Sequence, residues 1–384
     1  MRLKIAVLAL ILILCGGATL SILKASAFDA HAVAAGFAAQ CAKEKTHEVC
    51  YESLVPQLYP QHGVAQLFDV VRALRAQDPS YQFCHVLGHK IGERVVAEDP
   101  TRWLDDLAYN PPDSLCSNGY LHGVVGGRFR SEVLDVATIE KLIPDFSLAC
   151  KPHAGWQPTP FDQAVCEHGM GHLYDFITDA NLPQALDLCR RTLPKDAQRV
   201  CIQGVFMQIY QPLEPDDYQL IARMKTKPTK TTVRQFCATF KDPEYIGSCR
   251  EESWPLFREE LLRGIGVQAY CSGYPNAQEE EYCWRGISAI IGRLSLGDAT
   301  EAQHACDNFP VAWQGMCYEG SAQAIVEESR SAAAEAVSFC ARAQGSVAQE
   351  CYSGLARDAR QLFGDAQGRG GFCRLLPAQY QPSC

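Results

Sequence analysis

Apolar positions gather in runs that follow a glycine, as in Ile202–Tyr210 and Ile287–Leu296, and no long segment alternates apolar with polar residues. Period-two alternation is the mark of half-buried strands, so its absence here predicts helices. The helical runs are paced by cysteines at 50, 84, 116, 166, 201, 249, 283, 317, 351 and 384. Five of the nine intervals are 33 or 34 residues, two are 35 and 32, and the steps of 50 and 48 read as the same unit with an insertion. A fixed period in this range marks stacked supersecondary units.

A second cysteine precedes most rungs of this ladder, giving the apparent pairs 41/50, 150/166, 189/201, 237/249, 271/283, 306/317, 340/351 and 373/384. A proline lies between the two in six of them, at 160, 194, 243, 275, 310 and 377. Proline is favoured at the first position of a helix, where its missing N–H costs nothing. Glycine follows three residues after Cys116, Cys166, Cys201, Cys283, Cys317 and Cys351. Gly in a helix interior costs about 1 kcal/mol relative to Ala, so its recurrence predicts close helix–helix approach. The unit reads as one helix ending near the first cysteine, a turn, and a second helix carrying the rung. A disulfide across that corner would staple the hairpin.

On period and cysteine pairing, the chain from Gln40 to Cys384 resembles in architecture the tetratricopeptide and Sel1-like repeat proteins, including cysteine-rich members stapled hairpin by hairpin. The resemblance implies an all-α fold of stacked αα-hairpins with a period of about 34. Consensus residues of those families are not evident, so it carries no functional residue across. Stacking into an open solenoid and closure into an α/α toroid both satisfy the pattern.

The N-terminus changes the picture by adding export. Arg2 and Lys4 precede an uncharged run from Ile5 to Leu23, and Ala25-Ser26-Ala27 suits signal-peptidase cleavage. The 19-residue run is also close to the minimum for a membrane span, so a cleaved signal and an N-terminal anchor are both open. The 19 cysteines less Cys15 leave 18, an even number. With an export signal this reads as a disulfide framework in an oxidising compartment, periplasmic or extracellular. The divisions expected are 1–27 as signal or anchor, 28–180 as histidine-rich repeats, and 181–384 as regular cysteine-paired repeats. A formal charge of −9 without a long basic block argues against a nucleic-acid partner.

Chemistry concentrates after three consecutive rungs, which hold five of the ten histidines: His85, His89, His122, His168 and His172. His122 and His172 each lie six residues after their rung, His89 five; the sixth position after Cys201 is Met207. His85/His89 and His168/His172 are four apart, on one helical face. Glu93 and Asp175 follow as carboxylates able to act as base, in that order of preference. Imidazole with carboxylate suits a transition metal, Zn, Cu or Fe. Neighbouring helices lie about 8–10 Å apart, so in a straight stack His122 would join one pair only or bridge two sites. Strong curvature would bring all five together. Cys84 and Cys116 lack a local partner, and either pair with each other or bind metal as thiolates.

No nucleophile elbow, dinucleotide fingerprint or haem motif is present, and Gly368–Gly371 reads as a loop rather than a phosphate cradle. The resulting expectation is an exported helical repeat protein with a histidine-rich metal site, enzymatic or metal-handling. The rival is an interaction scaffold presenting a protein- or peptide-binding repeat surface. The chain beyond Asp187, nearly free of candidate chemistry, favours that rival.

Overall fold

The computed structural model describes residues 28–129, 133–224 and 227–384. Its regular structure is helical throughout; the sole extended pairing among these residues is an isolated bridge between His153 and Trp156. The apolar N-terminal segment lies outside the described residues, within which no helix is long and apolar enough to cross a membrane.

Every local cysteine pair is bonded as the spacing predicts, and Cys84 joins Cys116, giving nine disulfides. So many bridges point to an oxidising compartment. Eight bridges close single hairpins over 9 to 16 residues; Cys84–Cys116 spans 32 and ties two successive units. The thiolate alternative for these two cysteines is thereby set aside.

Eight helices form the structural row: α1 (His85–Glu98), α2 (Gly119–Phe129), α3 (Pro160–Ile177), α4 (Lys195–Tyr210), α5 (Pro243–Glu252), α6 (Ala277–Leu294), α7 (Gln314–Glu328) and α8 (Gly345–Leu362). Each packs on the next in chain order, and α8 also touches α3. The far end of the row meets its beginning. Ser117 donates its backbone N–H to Glu328 O at 3.3 Å and its hydroxyl to Glu328 Oε2 at 2.5 Å. Arg330 pairs with Asp162 at 2.6 Å.

The shorter helices end at or just beyond the first cysteine of a pair, as at Cys237, Cys271, Cys340 and Cys373. Proline placement is looser than expected. Pro160 and Pro243 open α3 and α5, Pro194 caps α4, and Pro275 and Pro310 stand just ahead of a cap or a 3-10 turn. One expectation fails: Gly368–Gly371 is not a loop but the middle of a helix, Ala366–Cys373. Its Asp365 cap accepts from Gly368 N at 2.7 Å, and Cys373–Cys384 fastens its end. A cap and a covalent tie together outweigh the intrinsic cost of three glycines.

Buried apolar side chains form two clusters, one from Ala34 to Cys249 and one from Leu261 to Leu376. Tyr120 and Tyr174, which flank the histidines in sequence, are core residues with satisfied hydroxyls, on Asp106 O and Thr192 Oγ1.

Candidate metal centre

His85 is the first residue of α1, directly after Cys84, and His89 lies one turn on. Their rings are 4.7 Å apart. His122 is on the first turn of α2, with its ring 5.0 Å from His85 and 5.2 Å from His89. The helices must nearly touch for this. A Cβ at Gly123 of α2 would stand 2.1 Å from the His89 carbonyl oxygen, and one at Gly169 of α3 would stand 2.5 Å from His122 Cδ2. Only glycine permits both approaches. Gly169 belongs to the recurrent series three after the rung, as does Gly119, where a Cβ would stand 2.2 Å from the His85 carbonyl oxygen; Gly123 lies outside that series.

One donor nitrogen from each of His85, His89 and His122 lies within 4.8 Å of the other two. One nitrogen of each ring is held by a hydrogen bond. His85 Nδ1 bonds the Cys116 carbonyl at 3.1 Å, His122 Nε2 bonds the Val165 carbonyl at 2.7 Å, and His89 Nδ1 bonds Glu214 Oε1 at 3.0 Å. Carbonyl and carboxylate oxygens only accept, so each held nitrogen carries a proton, and in a neutral ring the other nitrogen keeps its lone pair. His89 Nε2 and His122 Nδ1 are buried and make no hydrogen bond. A ligating histidine that gives its second N–H to a carboxylate or carbonyl is the usual arrangement around bound metal.

Electrostatics keep His85 and His122 neutral. Burial first, then the neighbouring imidazoles, hold His85 and His122 well below the ordinary imidazole range. Burial, His122 and Arg293 bring His168 down to about 3. Burial would raise Glu214, but its hydrogen bond and attraction to His89 and to Lys90, 2.7 Å away, prevail and hold it well below the carboxylate range.

The Cys116 carbonyl that orients His85 belongs to an unusual turn. Ser114, Cys116, Ser117 and Asn118 all have positive φ, between 48° and 63°. For L-residues this region costs roughly 1–2 kcal/mol each, so the turn persists only because its surroundings hold it. Those restraints are the Cys84–Cys116 bridge, the Glu328 contacts with Ser117, and Asn118 donating to Asp162 at 2.9 Å.

The structure separates the sequence candidates. All five histidines form one continuous group of rings: His122 lies 5.9 Å from His168 and 5.6 Å from His172, which are 4.9 Å from each other. Among the described residues, only His85, His89 and His122 converge as three ligands. Glu93 lines a cavity of about 30 Å³ beside His89, His122 and His172, together with Gln208 and Asp217. That volume holds roughly one or two waters. Burial first and then Glu214 raise the Glu93 carboxyl, opposed by Lys90 at 2.9 Å.

Asp175 is absent from that lining. It is fully buried, neither carboxyl oxygen has a hydrogen-bond partner, and burial followed by Asp179 pushes it up to about 8. Glu214 and Lys90 escaped the sequence reading. Glu214 stands in Leu-Glu-Pro-Asp-Asp, which signals only a helix start and indeed caps the helix Pro215–Arg223. No family model, curated protein or solved structure matches the chain.

Proposed function

We propose that this protein is an exported metalloprotein whose His85–His89–His122 triad binds a transition-metal ion, Zn, Cu or Fe, beside a water-holding pocket. One observation carries the reading: a donor nitrogen from each of three imidazoles lies within 4.8 Å of the other two, while each ring is also fixed by a carbonyl or carboxylate acceptor. A tetrahedral ion with bonds of about 2.0–2.1 Å needs nitrogens roughly 3.3 Å apart. Small side-chain adjustments close the 4.8 Å spread to that value.

Three histidines with room for water is the donor set of a catalytic rather than a structural ion. We infer hydrolysis by metal-activated water as the leading chemistry, with Glu93 as the base that receives the proton. Its raised carboxyl and its place on the cavity wall support that role. Redox chemistry at Cu or Fe, or metal delivery without turnover, uses the same ligands. The contacts of Glu328 and Arg330 with the α1–α3 region support the toroidal form of the helical repeat over the open solenoid. Periplasmic or extracellular placement, with or without an N-terminal tether, belongs to the same proposal.

Elemental analysis of the full exported chain, purified without chelators, tests the reading. The expectation is about one tightly held ion per chain, lost in the His85→Ala/His89→Ala/His122→Ala variant with helical content retained. A wild-type protein free of transition metal, and unable to take up Zn, Cu or Fe, would leave the scaffold reading in its place.

A further inference from the structure

The histidine stripe continues one helix beyond the triad in a different chemistry. Position six after the rung is His122 on α2, His172 on α3 and Met207 on α4. Met207 Sδ lies 3.2 Å from His168 Nε2. The Val200 carbonyl also bonds the His168 ring, as Val165 bonds that of His122, one residue before the rung in each case. His172 is oriented by Gln208, whose Oε1 is 2.7 Å from its Nδ1.

A thioether is a weak hydrogen-bond acceptor, so Met207 offers His168 little as a partner. Nor is it simple core filler, since it is only partly buried and stands outside both apolar clusters. The separation of 3.2 Å is instead close to that of two ligands sharing one small ion. Thioether together with imidazole selects soft Cu(I) over Zn, Mg or Ca.

We propose that His168, His172 and Met207 form a second, soft site for monovalent copper, adjoining the triad but sharing no ligand with it. The fold supplies it by the same device as the triad, with one ring per turn and a carbonyl behind it.

Anaerobic titration of the full chain with Cu(I), in competition with a chromophoric Cu(I) chelator, tests this, with X-ray absorption reading the ligand atoms. The wild type should show a sulfur scatterer on copper. Met207→Leu, which conserves volume, should lose that scatterer and weaken Cu(I) binding at least about 10-fold, leaving triad-bound metal unchanged. The triad triple-alanine variant should keep the sulfur-ligated copper even though its other metal is gone. Copper bound only through nitrogen, or unaltered by Met207→Leu, overturns the proposal. So does sulfur-ligated copper that vanishes with the triad, whereas failure of the triad reading alone would leave the Met207 signature standing.

Discussion

Glu214→Gln tests the centre without touching a ligand. Glu214 accepts from His89 Nδ1 at 3.0 Å and from Lys90 Nζ at 2.7 Å, with its side chain 6% exposed. Gln keeps the shape and one acceptor oxygen but removes the charge. Hydrogen bonds to charged groups contribute about 1.5–3 kcal/mol against about 0.5–1.5 for neutral ones. The difference, roughly 1–2 kcal/mol, falls on the orientation and basicity of His89, and corresponds to about a 10-fold loss of metal affinity. Glu214→Ala, which removes the acceptor altogether, should approach about 100-fold. Lys90 retains Glu93 at 2.9 Å, so the helix should survive either change. Metal affinity is measured at pH 7 by competition with a chelating indicator, alongside a thermal melt of each variant. If both variants bind like wild type while His89→Ala loses metal, Glu214 does not orient the ligand. If His89→Ala also binds normally, the triad does not hold the ion.

Gly169→Ala places a Cβ 2.5 Å from His122 Cδ2 and should swing that ring off Val165, lowering metal content by elemental analysis. Gly36→Ala, with nothing within 4 Å, should leave metal unchanged and add about 0.5–1 kcal/mol of stability. Asp175 has its carboxyl raised from 3.8 to about 8, so it favours folding while protonated. Stability should therefore fall as pH rises from about 4 to 8, by at most about 1.4 kcal/mol per pH unit, and calorimetry should find that slope flattened in Asp175→Asn. Replacing a cysteine pair by serine should cost about 2–4 kcal/mol at either Cys84/Cys116 or Cys340/Cys351. Metal analysis should register a loss only for the first pair, whose bridge anchors the turn that orients His85.

The helical fold, the local disulfides and the grouping of the five histidines were legible because each leaves a periodic trace: a rung, a partner cysteine, a glycine three on and an imidazole near six on. The structure places the two carboxylates differently, for a geometric reason. At about 100° per residue, Glu93 is rotated about 40° from His89 and stays on its face. Asp175, three residues after His172, is rotated about 60° the other way, into the core. Which three histidines converge was not legible, since that depends on the closeness of three helices rather than on spacing within one. Glu214 was hidden because its partner His89 lies 125 residues earlier, and locally it reads as a cap. The left-handed turn at Ser114–Asn118 was hidden too, because it contains no glycine at its positive-φ positions and is imposed from outside.

That imposed turn gives the long, chemistry-poor C-terminal half a part in the centre. His85 takes its orientation from the Cys116 carbonyl. The turn presenting that carbonyl sits against Glu328 at the end of α7, and Asp162, which holds Asn118, is itself paired with Arg330. Glu328 is 1% exposed, and burial raises its carboxyl to about 7, so this contact is part of the packed interior rather than a surface pair. Four strained residues at roughly 1–2 kcal/mol each exceed what the Cys84–Cys116 bridge alone contributes, about 2–4 kcal/mol. The hydrogen bonds from Ser117 to Glu328 at the end of α7, and from Asn118 to Asp162, add to that restraint. A chain ending after α3 would keep every histidine and the bridge but lose the bonds to Glu328. Helices that carry none of these histidines thus bear on the candidate site by contacting the one strained segment that orients His85.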